Sequence, residues 1–227
     1  MTTPRDAEGW APLIERLGED SGVNMGGRRL NGPQQGFGPL WQKTYRVELP
    51  GVEPETVIAE WKANYGEFWP RSARFNAPLA GIKPGEVGSI KSMQMLSTGI
   101  LVLYADETSF AFMTPEGHPF AGWITFSAYA EPETVAQVQL MLRPNDPLWD
   151  AAFMLGVART EDRMWQHTLR QLARHFGIEA IPQTQRVKLD GHRLWRNAGN
   201  VRKNAMFGSL GHMVSAPFRS RRKPPSS

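Results

Sequence analysis

The sequence predicts an α+β fold in which one antiparallel sheet is closed by a single long helix. Three observations carry that expectation. Five consecutive stretches between Glu86 and Arg143 have strand character and are separated by short turns. A long amphipathic stretch, Asp146 to Phe176, follows the strands directly. Its Ala151, Met154, Leu155, Ala158, Trp165, Leu169, Leu172, Ala173 and Phe176 fall on one stripe at helical spacing, as a helix lying across a sheet requires.

Residues 1–38 read as a Gly-rich N-terminal extension. Ala11 to Leu17 has the makings of a short helix, and Asn31-Gly32-Pro33 marks a turn. The glycines lack the strand–loop–helix setting and the lysine that a phosphate cradle needs. Residues 39–178 form the expected main domain. Lys43 to Leu49 alternates as a strand, with Tyr45, Val47 and Leu49 on one side. Pro54 opens a helix reaching about Phe68, on which Val57, Trp61, Tyr65 and Phe68 make an apolar stripe, and Pro70 stops it. Arg71 to Glu86 reads as a loop. The strands Glu86–Leu96, Thr98–Asp106, Thr108–Thr114, Phe120–Ala130 and Val135–Arg143 follow.

Ile100 to Tyr104 and Phe110 to Met113 are apolar on both faces, which predicts cover on both sides of the central sheet. Asp146 is placed to cap the long helix, Pro147 suits its first turn and Gly177 its stop. Unbroken, that helix runs about 45 Å. Residues 179–227 are the expected C-terminal extension. It holds a short strand from Gln185 to Leu189, a helix from His192 to Met213 docked on the sheet, and a disordered end of about eight residues.

Composition narrows the function classes. The chain has 227 residues, 41% of them hydrophobic, enough for a packed core. It has no cysteine, which excludes disulfides, thiolate metal sites and cysteine nucleophiles and fits a cytoplasmic location. The first residues show no apolar leader, and no apolar run approaches the roughly 20 residues of a membrane helix. From Arg186 to Ser227 ten Lys/Arg face one Asp, so the basic balance belongs to the tail. Such a tail suits a membrane surface or the acidic body itself; without a reading motif it is a poor nucleic-acid binder. No histidine pair or acidic cluster has metal-ligand spacing, and no cofactor motif is present.

The segments GPQQGFGPLWQKTYRVEL, EFWPRSARFNAPLAGIKPGEVGSI, STGILVLYADETSFAFMTPEGHPFAGWITFSA and RPNDPLWDAAFMLG carry a family resemblance. So do the W-x-x-T-L-x-x-L-A of the long helix and LWRNAGNVRKNA in the tail. Over roughly residues 31–218 the chain resembles the SRPBCC superfamily (START / Bet v 1-like, polyketide cyclase-like), in a bacterial branch of uncharacterised function. The resemblance implies a helix-grip fold with an apolar cavity between sheet and long helix. It implies a hydrophobic ligand such as a lipid, sterol or polyketide, with cyclase- or hydrolase-like catalysis as the alternative.

Candidate residues follow. Trp61, Phe68, Tyr104, Phe112, Trp123, Phe126 and Trp165 are candidates to line the cavity, Tyr104 and Trp123 with a polar handle each. His118 is either an acid/base group at the cavity or the cap of a hairpin turn. Asp162 falls on the apolar stripe of the long helix, where a carboxylate needs a partner. It is a candidate acid/base group, or one half of a stripe-edge ion pair with Arg159. Arg71 and Arg74 could meet an anionic head group or simply face water.

Overall fold

The structure is a computed structural model, and it describes residue 24, residues 28–92, residues 96–207 and residue 209. The expected helix at 11–17 and the expected disordered end lie outside the described residues. The elements in order are β1 (Leu40–Glu48), α1 (Pro54–Ala63), β2 (Ala73–Asn76), β3 (Val87–Ser92), β4 (Leu96–Ala105), β5 (Ser109–Met113), β6 (Phe120–Ala130), β7 (Thr134–Pro144), α2 (Pro147–Ala152), α3 (Ala158–His175) and β8 (Gln183–Asp190). A short 3-10 turn, Pro33–Gln35, precedes β1, and a 3-10 helix, Trp195–Lys203, follows β8.

All eight strands form one sheet in the order β2-β3-β4-β5-β6-β7-β1-β8, and every neighbouring pair is antiparallel. Strands β2 to β7 are a meander; β1 then pairs with β7 across the sheet. α3 packs on the inner face, so the fold is the helix-grip arrangement that the sequence predicts. Two strands depart from expectation. β2 lies inside the stretch read as a loop, where four residues are too few to show a period. β8, longer than the short strand expected at Gln185–Leu189, pairs with β1 over seven residue pairs with a bulge near its end, so the sheet takes in part of the stretch read as an extension.

The long helix is not continuous. Asp146 caps α2, its carboxylate accepting from the backbone N–H groups of Leu148 (2.9 Å) and Trp149 (3.0 Å). A π-type segment, Phe153–Val157, then separates α2 from α3, with Gly156 at φ 134°. Glycine adopts that angle freely, and it is where the apolar stripe is interrupted. Met154 and Leu155, expected on the buried stripe, are 72% and 88% exposed. The remaining 18-residue α3 is about 27 Å long. It buries Trp165, Leu169, Leu172 and Ala173 against the sheet.

The cover on the outer face is partial. Leu101 is buried, but Leu103 and Trp123 stand 40% and 37% exposed. The 3-10 helix does not lie on the sheet as the expected terminal helix does. Its Asn200 donates to the Asn145 carbonyl (2.9 Å) and Asn204, just past its end, to the Asp146 carboxylate (2.8 Å), both at the β7–α2 junction, while Asn197 donates to the Gly36 carbonyl ahead of β1 (2.8 Å). Just beyond it, Ala205 packs with Leu96 and Trp149.

Candidate ligand-binding site

The inner face is filled unevenly. Around α1, Trp61, Tyr65, Phe110 and Phe126 interlock, with Phe110 and Phe126 stacked at 4.6 Å between centroids. Aromatic residues of this size leave no room beneath α1. Toward the start of α3, beside the break at Gly156, the packing opens into a cavity of about 450 Å³. Its wall is mainly apolar, with Ile90, Ile100, Phe112, Ile124 and Trp149 among the lining residues. Its polar members include Thr98, Thr114, His118, Thr160 and Glu161. A second, wider hollow between α1 and the β4–β5 turn is open to solvent and is lined by Lys62, Lys83 and Asp106.

One wall is backed by charges. Lys43 lies on the same face of β1 as Tyr45 and is 1% exposed. Its ammonium bonds Glu161 Oε2 at 2.6 Å and Asp162 Oδ1 at 3.1 Å, and it sits 4.8 Å from the centre of the Phe153 ring. The Tyr45 hydroxyl donates to Asp162 Oδ1 at 2.5 Å, and Arg186 of β8 pairs with Asp162 Oδ2 at 2.7 Å. Two cations thus balance two carboxylates at the sheet–helix seam, the condition for burying charge at tolerable cost.

The two neighbouring acids differ. Burial raises the Glu161 pKa, against the pull of Lys43. Burial also works on Asp162, but Tyr45, Lys43 and Arg186 together hold its pKa below the ordinary value. The Tyr45 hydroxyl is pushed upward by burial and by the carboxylates beside it. Across the cavity, burial lowers His118 to about 4, so its ring is neutral at physiological pH. His118 Nδ1 lies 3.0 Å from the Phe120 carbonyl oxygen and 3.1 Å from the Phe120 backbone nitrogen, so that side of the ring is tied to the turn backbone.

The sequence-derived candidates separate into three groups. Phe112, His118 and Trp165 line the cavity. Trp61, Phe68 and Phe126 are buried in the aromatic packing instead. Tyr104 and Trp123 face outward. A bulge after Val102 pairs Tyr104 with Ala111, on the face opposite Phe110 and Phe112, and Trp123 pairs with the outward Met113 and Met141.

Asp162 stands behind the wall. Its partners come from the sheet rather than from Arg159, and the carboxylate facing the cavity is that of Glu161. His118 bonds the turn backbone, as the turn-cap reading expects, and also borders the cavity. Arg71 and Arg74 are exposed and do not line it. Lys43, Glu161 and Arg186 were not singled out by the sequence reading. Strand parity with Tyr45 was the available signal for Lys43, and the four-residue step to Trp165 was the signal for Glu161.

Among the described residues no group of His, Asp and Glu has the makings of a metal site. Among them also, no helix is long and apolar enough to cross a membrane.

No family model and no curated protein matches this sequence. Solved structures do. The di-domain ARO/CYC StfQ from the steffimycin biosynthetic pathway is 12% identical with a TM-score of 0.45, covering 61% of this chain and 50% of its own. A protein from Arthrobacter aurescens is 10% identical with a TM-score of 0.44, covering 59% of this chain and 86% of its own. Ara h 8.0201 is 13% identical with a TM-score of 0.41, covering 60% and 97%. The chain thus spans half the length of the StfQ di-domain. The likeness is one of fold alone.

Proposed function

We propose that this chain binds a hydrophobic small molecule in the cavity between the sheet and α3. The observation that carries the reading is the cavity itself: about 450 Å³, mainly apolar, with a few polar groups at its wall. Those are the dimensions and lining of small-molecule sites in general. Burying about 300 Å² of apolar ligand surface supplies roughly 7 kcal/mol at 25 cal/mol per Å², less the cost of association. Native mass spectrometry and thermal melts with a panel of lipids, sterols and aromatic polyketides test it. A ligand at a hundred times its Kd stabilises by about 2.7 kcal/mol, which raises Tm by about 5–10 °C in a chain of this size. A panel that yields no bound mass and no shift removes the reading.

A second reading, proton-transfer catalysis of a cyclase- or hydrolase-like kind, draws support from His118 and Glu161. Both line one cavity and their pKa values are moved in opposite directions, as in acid/base pairs. Glu161 takes the role expected of Asp162. The two readings differ in the ligand recovered: unchanged mass favours binding, a changed mass favours turnover.

A further inference from the structure

Adjacent acids on α3 are used differently. Asp162 has both oxygens engaged, Oδ1 by Tyr45 and Lys43 and Oδ2 by Arg186. Glu161 spends Oε2 on Lys43. The Trp165 indole N–H favours its charged form from nearby but makes no hydrogen bond of regular geometry. A carboxylate accepts about four hydrogen bonds. Glu161 is 8% exposed, and it is the carboxylate among the residues lining the cavity. Burial without a full set of partners is costly unless something else completes the set.

We propose that Glu161 selects the ligand: its free oxygen, Oε1, accepts a hydrogen bond from an alcohol or phenol hydroxyl on an otherwise apolar, uncharged molecule. This rests on the cavity being a ligand site. The charge count argues for a neutral donor. Lys43 and Arg186 already balance Glu161 and Asp162, and Arg163, the further cation lining the cavity, is exposed to water. A ligand ammonium would have to approach a carboxylate whose other oxygen holds Lys43 at 2.6 Å. A ligand carboxylate placed there would meet like charge in a dry site. A hydroxyl gains a charge-assisted bond. An analogue without it leaves Glu161 Oε1 desolvated and unpaired, which is how polar sites reject apolar analogues.

The test uses three ligands of one shape: 2-naphthol, 2-methoxynaphthalene and naphthalene, titrated calorimetrically into the full chain. The wild-type protein is expected to bind 2-naphthol about tenfold more tightly than either of the others. In Glu161→Gln, which keeps the volume and leaves Lys43 paired with Asp162, the ratio is expected to fall below about threefold. Equal affinities in the wild-type protein overturn the inference and leave the cavity reading standing, as does discrimination that survives in Glu161→Gln. If none of the three binds, the inference falls, while the cavity reading is decided by the wider panel of lipids, sterols and polyketides. The wild-type comparison decides the matter even if the variant does not fold.

Discussion

Lys43→Met perturbs the buried charge set at its centre. Lys43 is 1% exposed and bonds both Glu161 and Asp162. Methionine fills similar space and removes the charge. Asp162 keeps Tyr45 and Arg186, so the uncompensated group is Glu161. Removing one partner of a buried pair costs about 3–5 kcal/mol. At 2–4 °C per kcal/mol this lowers Tm by about 6–20 °C.

The pH dependence has a definite sign. The Glu161 pKa is already raised by burial, and loss of Lys43 raises it further. A carboxyl whose folded pKa exceeds its unfolded value destabilises the fold increasingly as pH rises from the unfolded value toward the folded one. The Tm gap between Lys43→Met and wild type is therefore largest near pH 8 and narrows toward pH 5. Adding Glu161→Gln to Lys43→Met removes the stranded charge and recovers more than half of the loss. The assay is thermal melting of the three proteins at constant ionic strength. A gap below 2 °C at pH 8, or one that widens toward acid, refutes the account of the cluster.

Further outcomes follow from the same geometry. His118 is held at about 4 against an ordinary 6.5. The unfolded chain takes that proton first, so up to about 3 kcal/mol of stability, present above pH 6.5, is lost as pH falls toward 4. His118→Gln is expected to flatten that loss in urea denaturation at pH 7 and 4.5. Asp146→Ala removes the cap of α2 and the anchor of Asn204. It is expected to cost about 1–2 kcal/mol and to speed amide exchange across residues 195–205.

Much of the architecture was legible because it depends on periodicity and punctuation. The clean alternation of β7 and the Asp146-Pro147 start of α2 are local signals, and they lie where the sequence put them. The break at Gly156 was not legible, since the apolar stripe ran through it on a helical wheel. The outward turn of Tyr104 came from a bulge, which depends on pairing between strands rather than on either strand alone. The site was half legible. Asp162 stood out as a carboxylate on an apolar stripe, and it lies in the buried charge cluster with Lys43, Tyr45 and Arg186. Which of two adjacent acids faces the cavity depends on Lys43, 118 residues away from Glu161, and on Arg186 in β8. No local pattern brings those together.

The most direct measurement of the cavity claim is ligand-induced stabilisation with the cavity open and filled. Ile124 lines the cavity on β6, and Ile124→Trp places an indole in the space. An apolar ligand that raises the wild-type Tm by about 5 °C or more is predicted to leave the Tm of folded Ile124→Trp unchanged. Equal shifts in both proteins would place the ligand elsewhere and contradict the account.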